Sequence, residues 1–149
     1  MLSDKLEEIM GIKTPYYAMI DFEGFKNIID TLGGITVDVP ESFTDFTYPK
    51  NEMQIMTVHF DTGTTNMSGE RALQYARSRH STSDFSRSLR QQLIVKGVMN
   101  KLVKSGLGNI NKLKALYGDY TKMVTTNISL KEMLGMVKYA YRLKNTFSF

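Results

Sequence analysis

Apolar residues recur at intervals of three and four along much of the chain, and this spacing predicts a series of helices. Residues that cap or break helices, such as Asp21 and the pair Gly33–Gly34, set most of the boundaries. The predicted helices lie between Ser3 and Gly11, Asp21 and Gly33, Ser68 and Ala76, Ser81 and Leu102, Ile110 and Gly118, and Ser129 and Tyr141.

Other segments are continuously apolar or alternate between apolar and polar residues, which favours strands. Residues 16–20 are aromatic and apolar and predict a buried strand, whereas residues 35–39 alternate and predict a half-buried one. Further strands are expected at residues 55–60 and 123–127. Residues 41–53 are polar and aromatic with little periodicity, and they predict a loop or a pair of short, irregular strands. Helices that alternate with strands are typical of an α/β domain, a sheet covered by helices.

Composition narrows the class of protein without naming a function. The 149 residues suffice for one domain, and the absence of Cys excludes disulfides, Cys-ligated zinc and a thiol nucleophile. No apolar run is long enough for a membrane helix, so we expect the chain itself to be soluble. The net charge of +4 permits an anionic partner but does not require one.

The arginines are unevenly distributed, because five of the six lie between residues 71 and 90. If a helix begins at Asp84, then Asp84, Arg87 and Gln91 follow one another at helical spacing and share a face. Arg77 and Arg79 precede that helix, and in an extended segment their side chains project to the same side. Three guanidinium groups are therefore expected to converge near the start of the helix.

Such a cluster suits an anion with several oxygens. Arginine binds phosphate bidentately, and a helix N-terminus adds N–H groups and partial positive charge. The predicted ligand is a phosphate or pyrophosphate, and Asp84 could hold a divalent metal, orient an arginine or accept a proton. The competing interpretation is a solvated basic surface with a local Asp84–Arg87 ion pair. His59 is expected to pack inside a strand, His80 to lie at the surface, and their spacing does not suit a metal site.

Three segments resemble one known family, named for LytR, CpsA and Psr. They are ALQYARSRH followed by DFSRSLRQQ, then YYAMIDFEGFKNIIDTLGGITVDVP, and finally the late TTNIS. Together they extend from about Leu6 to Tyr141, and the arginine motif with its downstream QQ is the most specific of them.

The resemblance implies an α/β fold with a central mixed β-sheet flanked by helices and an apolar tunnel for a lipid tail. It implies a membrane-anchored phosphotransferase on the extracellular face of the cell membrane, mainly in Gram-positive bacteria. The implied reaction moves a glycopolymer, such as teichoic acid or capsule polysaccharide, from a polyprenyl-pyrophosphate carrier to peptidoglycan, with Mg²⁺ as the usual metal.

The family's site residues transfer to matching positions in this sequence. Arg77 and Arg79 would clamp the pyrophosphate, Asp84 and Arg87 match the family's D-x-x-R, and Gln91 matches the glutamine that faces the phosphates. Arg90 matches a second basic position and is a possible additional site residue. Asp84 and Arg87 are therefore the expected catalytic residues, and Arg77, Arg79, Arg87 and Gln91 the expected pyrophosphate-binding residues.

The sequence departs from the family pattern at its start. Family domains begin further upstream, with strands that carry an S-x-P-R-D-like motif, acidic metal ligands and a membrane helix before them, none of which is present in residues 1–149. We therefore interpret the chain as one partial domain, its C-terminal part, with an incomplete metal site and a sheet edge open to self-association. Two other functions stay open: a non-catalytic polyprenyl-pyrophosphate-binding fragment, and a nucleic-acid-binding transcriptional regulator, which the clustered arginines favour less.

Overall fold

The computed structural model describes residues 2–51, 53–79, 84–104, 124–129, 131–132 and 135. They belong to two compact units, one made of Met1–Asp21 with Lys112–Phe149 and the other of Phe22–Asn111. In chain order, the elements are α1 (Leu2–Met10), β1 (Ala18–Ile20), α2 (Phe22–Thr31), β2 (Ile35–Val39), β3 (Phe43–Pro49), β4 (Ile55–Phe60), β5 (Gly63–Met67), α3 (Gly69–Arg77), α4 (Asp84–Lys104) and β6 (Val124–Thr126).

The α/β class is confirmed, and most predicted elements are found at the expected places. The described strands form three antiparallel pairs, β1 with β6, β2 with β5 and β3 with β4. Four predictions fall outside the described residues: the helix between Ile110 and Gly118, the cap at Ser81, His80, and most of the helix after Ser129.

The first unit contains α1 and the ribbon of β1 and β6. Asn127 connects its two halves, because its side chain accepts the Tyr17 N–H at 2.9 Å and donates to the Pro15 carbonyl at 2.7 Å. The prediction that residues 16–20 form a buried strand was wrong in its burial: Met19 is 65% exposed and Ile20 43%. Apolar composition favours burial, but β1 is short and pairs with β6 while the side chains on its faces stay exposed.

A capping box follows β6 in the same unit, at Ser129, where a helix was predicted to begin. The Ser129 N–H donates to the Glu132 carboxylate at 2.9 Å, and the Glu132 N–H donates to the Ser129 hydroxyl at 3.3 Å. The other carboxylate oxygen accepts the Tyr16 hydroxyl at 3.1 Å. The cap therefore also ties the end of the chain's described part to the segment before β1.

In the second unit, α2 ends as its glycine pair predicted. Gly33 and Gly34 have φ values of 73° and 79°, and their N–H groups donate to the carbonyls of Asp30 and Ile29, each at 2.9 Å. The Asp30 carboxylate accepts the Gly69 N–H at 2.7 Å, and a Cβ on Gly69 would overlap the Lys26 backbone. Helices α2 and α3 thus cross in close contact at Gly69.

Strand β2 shows the predicted alternation, with Ile35, Val37 and Val39 buried and the residues between them exposed. Its partner β5 was not predicted from the sequence. The segment is mostly polar, and its strand conformation depends on long-range pairing: the Thr64 hydroxyl donates to the Asp38 carboxylate at 3.0 Å across the ladder.

In the described part of residues 41–53, where a loop or a pair of short, irregular strands was expected, the structure has one irregular strand, Phe43–Pro49. Strand β3 pairs with β4, and the register shifts between Asp45 and Tyr48. His59 lies on β4 as expected, but the prediction that it is packed was wrong. Its side chain is 52% exposed and lies between the Thr44 hydroxyl at 2.7 Å and the Asp61 carboxylate at 3.1 Å.

The core of the second unit lies between the strands, α3 and α4. Phe43, Phe60 and Tyr75 form an aromatic cluster with ring centroids 5.0 to 5.9 Å apart. Helix α4 packs against β2 at Gly97, where a Cβ would lie 3.0 Å from the Thr36 carbonyl oxygen. Within the described part of the chain, no helix combines the length and apolar character needed to cross a bilayer.

Candidate functional site

Four of the sequence-predicted binding residues line one cavity in the second unit. Its volume is about 690 Å³. The lining residues are Phe22, Asp45, Thr47, Pro49, Ala76, Arg77, Arg79, Arg87 and Gln91. Side chains from α2, β3, α3, α4 and the segment after α3 therefore meet at one place.

Helix α4 supplies Arg87 and Gln91, which are four residues apart and so lie on one face. Arg87 is in the first turn, where the helix dipole adds partial positive charge. Asp84 is the first residue of the helix, but its side chain is outside the part of the structure that is described. The shared face of Arg87 and Gln91 agrees with the spacing argument from the sequence.

Arg77 and Arg79 reach the cavity by a different route from the one predicted. Arg77 is the last residue of α3 and not part of an extended lead-in, while Ser78 leaves the helix with φ −53° and ψ 134°. The Arg77 guanidinium lies over the Phe22 ring at 4.1 Å and 5.7 Å from the ring centroid of Tyr48. Burial raises the pKa of the Tyr48 hydroxyl, and the charge of Arg77 opposes that rise.

Asp45 is the residue of this cavity that sequence reasoning missed. It is 2% exposed, and its carboxylate accepts the N–H of Thr47 at 3.0 Å and the N–H of Arg79 at 3.1 Å. Burial acts to raise the pKa of Asp45, but these bonds outweigh it and hold the pKa below its usual value. The available signal was Asp-x-Thr, since Asp commonly accepts the N–H two residues later in a turn.

Arg90 does not line the cavity. Its side chain is buried, with Nε donating to the Tyr75 carbonyl at 3.1 Å and a terminal nitrogen donating to the Ser78 carbonyl. The guanidinium also lies 4.9 Å from the ring centroid of Phe43. Desolvation lowers the pKa of Arg90 from its usual value, although the group remains charged at any physiological pH. Arg90 thus supports the end of α3 from within the core.

Arg71 is likewise part of the packing. Its guanidinium lies 3.8 Å from the ring centroid of Phe60 and donates to the side chain of Gln74 at 3.1 Å and to the His59 carbonyl. The five clustered arginines therefore divide into two groups: Arg71 and Arg90 stabilise the core, and Arg77, Arg79 and Arg87 face the cavity. We call these last three the arginine clamp.

The described residues do not assemble a magnesium site. Among them, no group of three or more His, Asp or Glu side chains lies close enough to hold a metal ion. Of the described residues that line the cavity, only Asp45 carries a carboxylate, and its oxygens already accept the N–H groups of Thr47 and Arg79 and the hydroxyl of Thr47. Mg²⁺ generally needs carboxylate oxygens free to coordinate it, so Asp45 fits a structural role better.

Comparison with known proteins identifies the family of the chain. The model of the LytR_cpsA_psr family matches residues 1–147. The chain belongs to the LytR–CpsA–Psr family. The resemblance carried by the arginine motif is thereby confirmed over nearly the whole length.

Relatives in this family include curated and structurally solved proteins. The chain is 33% identical over 135 residues to the polyisoprenyl-teichoic acid–peptidoglycan teichoic acid transferase TagV of Bacillus subtilis, covering 89% of the chain and 33% of TagV. It is 30% identical over 130 residues to TagU of the same organism, covering 86% of the chain and 37% of TagU. The chain thus spans about a third of the length of these relatives.

The crystal structure of Bacillus subtilis TagV matches the fold with a TM-score of 0.75 and 31% identity, over 94% of this chain and 51% of the solved one. The LytR–CpsA–Psr enzyme of Actinomyces oris matches with a TM-score of 0.68 over 91% of this chain and 53% of that one, at 24% identity. The second likeness concerns the fold alone. Both show that the α/β arrangement is that of LytR–CpsA–Psr domains.

Proposed function

We propose that this chain belongs to a phosphotransferase that moves a teichoic acid or capsule-type glycopolymer from a polyprenyl-pyrophosphate carrier to peptidoglycan. The observation that carries the proposal is the convergence of the arginine clamp and Gln91 on one cavity. The names of the TagV and TagU relatives support the class of reaction. The cavity supplies what such a substrate requires, since among its described lining residues three guanidinium groups outnumber the carboxylate of Asp45.

The proposed reaction is a phosphoryl transfer with a defined bond change. An acceptor hydroxyl on peptidoglycan attacks the phosphorus that carries the glycopolymer. The bond from that phosphorus to the bridging oxygen breaks, a phosphodiester forms, and polyprenyl phosphate leaves with the electron pair. The arginine clamp would bind the pyrophosphate and stabilise the negative charge that accumulates on its oxygens.

Asp84 and Arg87 are the proposed catalytic residues. Arg87 lies in the first turn of α4, where a fixed positive charge and the helix dipole act together on a bound phosphate. Asp84 would accept the proton of the attacking hydroxyl, orient an arginine or contribute to a Mg²⁺ site. Mg²⁺ dependence is part of the proposal and is measured separately, because Asp45 and the other described carboxylates do not form such a site.

Two further aspects of the proposal concern location and assembly. Action on peptidoglycan places the enzyme at the extracellular face of the cell membrane, where its polyprenyl substrate is anchored. Among the described strands β1 pairs only with β6, and its other edge favours contact with another polypeptide, including a second copy of the chain, because an open strand edge recruits partners. Sedimentation velocity over a range of protein concentrations would measure that association.

The experiment that tests the proposal is binding of geranylgeranyl pyrophosphate by calorimetry, with and without MgCl₂. Each charge-assisted hydrogen bond to phosphate contributes about 1.5–3 kcal/mol, so the double variant Arg77→Ala/Arg79→Ala is expected to lose roughly 100-fold or more in affinity. Lys96→Ala is the control on α4, since Lys96 is exposed and does not line the cavity.

Three outcomes are distinguishable. Binding that is lost in the double variant and kept in the Lys96 control supports the arginine clamp. Wild-type binding that the double variant retains would refute the proposed site. A requirement for Mg²⁺ in binding would show that ligands outside the described carboxylates complete a metal site.

A further inference from the structure

We propose that Asp45 is the positioning residue of the arginine clamp: it fixes the backbone after α3 so that Arg77 and Arg79 face the same cavity. This inference rests on the proposed function and deepens it. Asp45 would act through the segment that carries the arginines and would not touch the reacting atoms. Neither the spacing of the arginine motif nor its resemblance to the family indicated a role for this residue.

The segment from Arg77 to Arg79 needs such support. Arg77 is the last residue of α3, and Arg79 lies beyond the helix in an exposed position. The last carbonyls of a helix have no partners within the helix, and a loop that follows is free to adopt several conformations. Two guanidinium groups that must bind one pyrophosphate lose affinity if the backbone between them is not held.

Asp45 holds this segment by accepting the backbone N–H of Arg79. The carboxylate Oδ2 accepts the Arg79 N–H at 3.1 Å, while Oδ1 accepts the N–H and the hydroxyl of Thr47 at 3.0 and 3.2 Å. Asp45 is 2% exposed, and a buried carboxylate is stable only when donors surround it in a well-defined geometry. The register shift in β3 between Asp45 and Tyr48 marks where the strand deviates next to these bonds.

Arg90 holds the same segment by donating to backbone carbonyls near the end of α3. It donates to the Tyr75 carbonyl at 3.1 Å and to the Ser78 carbonyl, and Ser78 itself is fully buried. The turn between the clamp arginines therefore has a buried anion on its N–H side and a buried cation on its carbonyl side. The two charges restrain the backbone in complementary ways, and α4 contributes both Arg90 and the third member of the clamp, Arg87.

The sign of the charge separates positioning from electrostatic attraction. A carboxylate in the wall of an anion-binding cavity repels the ligand, so Coulomb's law alone predicts tighter pyrophosphate binding when Asp45→Asn removes the charge. Positioning predicts the opposite. An asparagine cannot accept at both of its terminal atoms, so either the Arg79 N–H or the Thr47 donors lose their acceptor.

The first experiment measures the affinity of the full chain for geranylgeranyl pyrophosphate. Asp45→Asn is expected to weaken binding roughly tenfold, as loss of one charge-assisted restraint implies. Asp38→Asn is the matched control, because Asp38 is a strand carboxylate of the same unit that accepts the Thr64 hydroxyl away from the cavity. Binding by Asp45→Asn that is unchanged or tighter than that of the control would overturn the inference.

A double-variant cycle separates positioning from general destabilisation. If Asp45 acts through Arg79, the variant Asp45→Asn/Arg79→Ala binds no more weakly than Arg79→Ala alone. Independent, additive losses would contradict this. Asp45→Glu keeps the charge and moves it by one methylene group. Weaker binding by this variant supports positioning, whereas an affinity equal to that of the wild type counts against it.

A second measurement needs no ligand. Hydrogen exchange of the Arg79 backbone amide, followed by NMR, is expected to be at least about ten times faster in Asp45→Ala than in Asp38→Ala, because alanine leaves the amide without its buried acceptor. Equal rates would overturn the inference. If the wild-type chain does not bind the pyrophosphate, the proposed function fails, while the exchange rate still decides whether Asp45 holds this segment.

Discussion

Replacement of Arg90 by methionine is expected to destabilise the second unit, whereas the same change at Arg87 should mainly affect binding. Arg90→Met keeps most of the side-chain volume and removes the guanidinium that donates to the carbonyls of Tyr75 and Ser78. Both carbonyls then lie in the core without their charged donor. The stacking of Arg90 on Phe43, with 4.9 Å from the guanidinium carbon to the ring centroid, is lost as well.

The magnitude follows from opposing contributions. Hydrogen bonds from a charged donor contribute about 1.5–3 kcal/mol each, and the cation–π contact adds roughly 1 kcal/mol. Methionine removes the cost of desolvating a buried cation, which offsets part of this loss. We therefore expect the free energy of unfolding to fall by about 2–4 kcal/mol, a large share of the stability of a small domain.

Urea denaturation followed by far-UV circular dichroism measures this difference, since the chain contains no Trp to report by fluorescence. Arg87→Met is the matched control on the same helix. Because Arg87 is only half-buried, this substitution should change the free energy of unfolding of the protein by less than about 1 kcal/mol. Equal losses for the two variants, or none for Arg90→Met, would refute the division of the arginines into core and clamp.

Two further predictions concern the same unit. The pKa of Asp45 is lowered in the folded state, so its contribution to stability is present above the unfolded value of 3.8 and is lost as the pH falls through the lower folded-state pKa. In acid titrations followed by circular dichroism, Asp45→Asn should therefore lose stability less steeply than the wild type in this range. An identical slope for the two proteins would contradict the assignment of a charged Asp45. Gly69→Ala should lower the free energy of unfolding by about 1–3 kcal/mol, because the added Cβ overlaps the Lys26 backbone. Gly135→Ala is the control, because a Cβ at Gly135 meets open space. Equal stability of the two variants would exclude close packing where α2 and α3 cross.

The clustering of arginines in one short segment has two physical causes in this structure. Arg71 and Arg90 use their planar guanidinium groups to stack on Phe60 and Phe43 and to satisfy carbonyls inside the unit. Lysine could not replace them, because its single ammonium group does not combine a planar stacking surface with several fixed donors. The remaining three arginines face the cavity, and only these match the predicted anion site.

The sequence by itself was sufficient for the elements whose signals are local. The alternation of residues 35–39, the glycine pair after α2 and the helix start at Ser129 depend on neighbours within a few positions, and each prediction was confirmed. The shared face of Arg87 and Gln91 also follows from helical spacing alone, which is why the sequence could assign both residues to one site.

Only the tertiary structure decided features that depend on distant residues. Strand β5 is polar and becomes a strand by pairing with β2, and β1 is apolar yet stays exposed. Arg90 belongs to the same motif as Arg77 and Arg79, but its side chain turns inward, where it donates to the carbonyls of Tyr75 and Ser78. The position of Asp45 likewise depends on the fold. A buried carboxylate is stable only where hydrogen-bond donors surround it, and the donor at Arg79 is distant in sequence, so spacing along the chain could not indicate it.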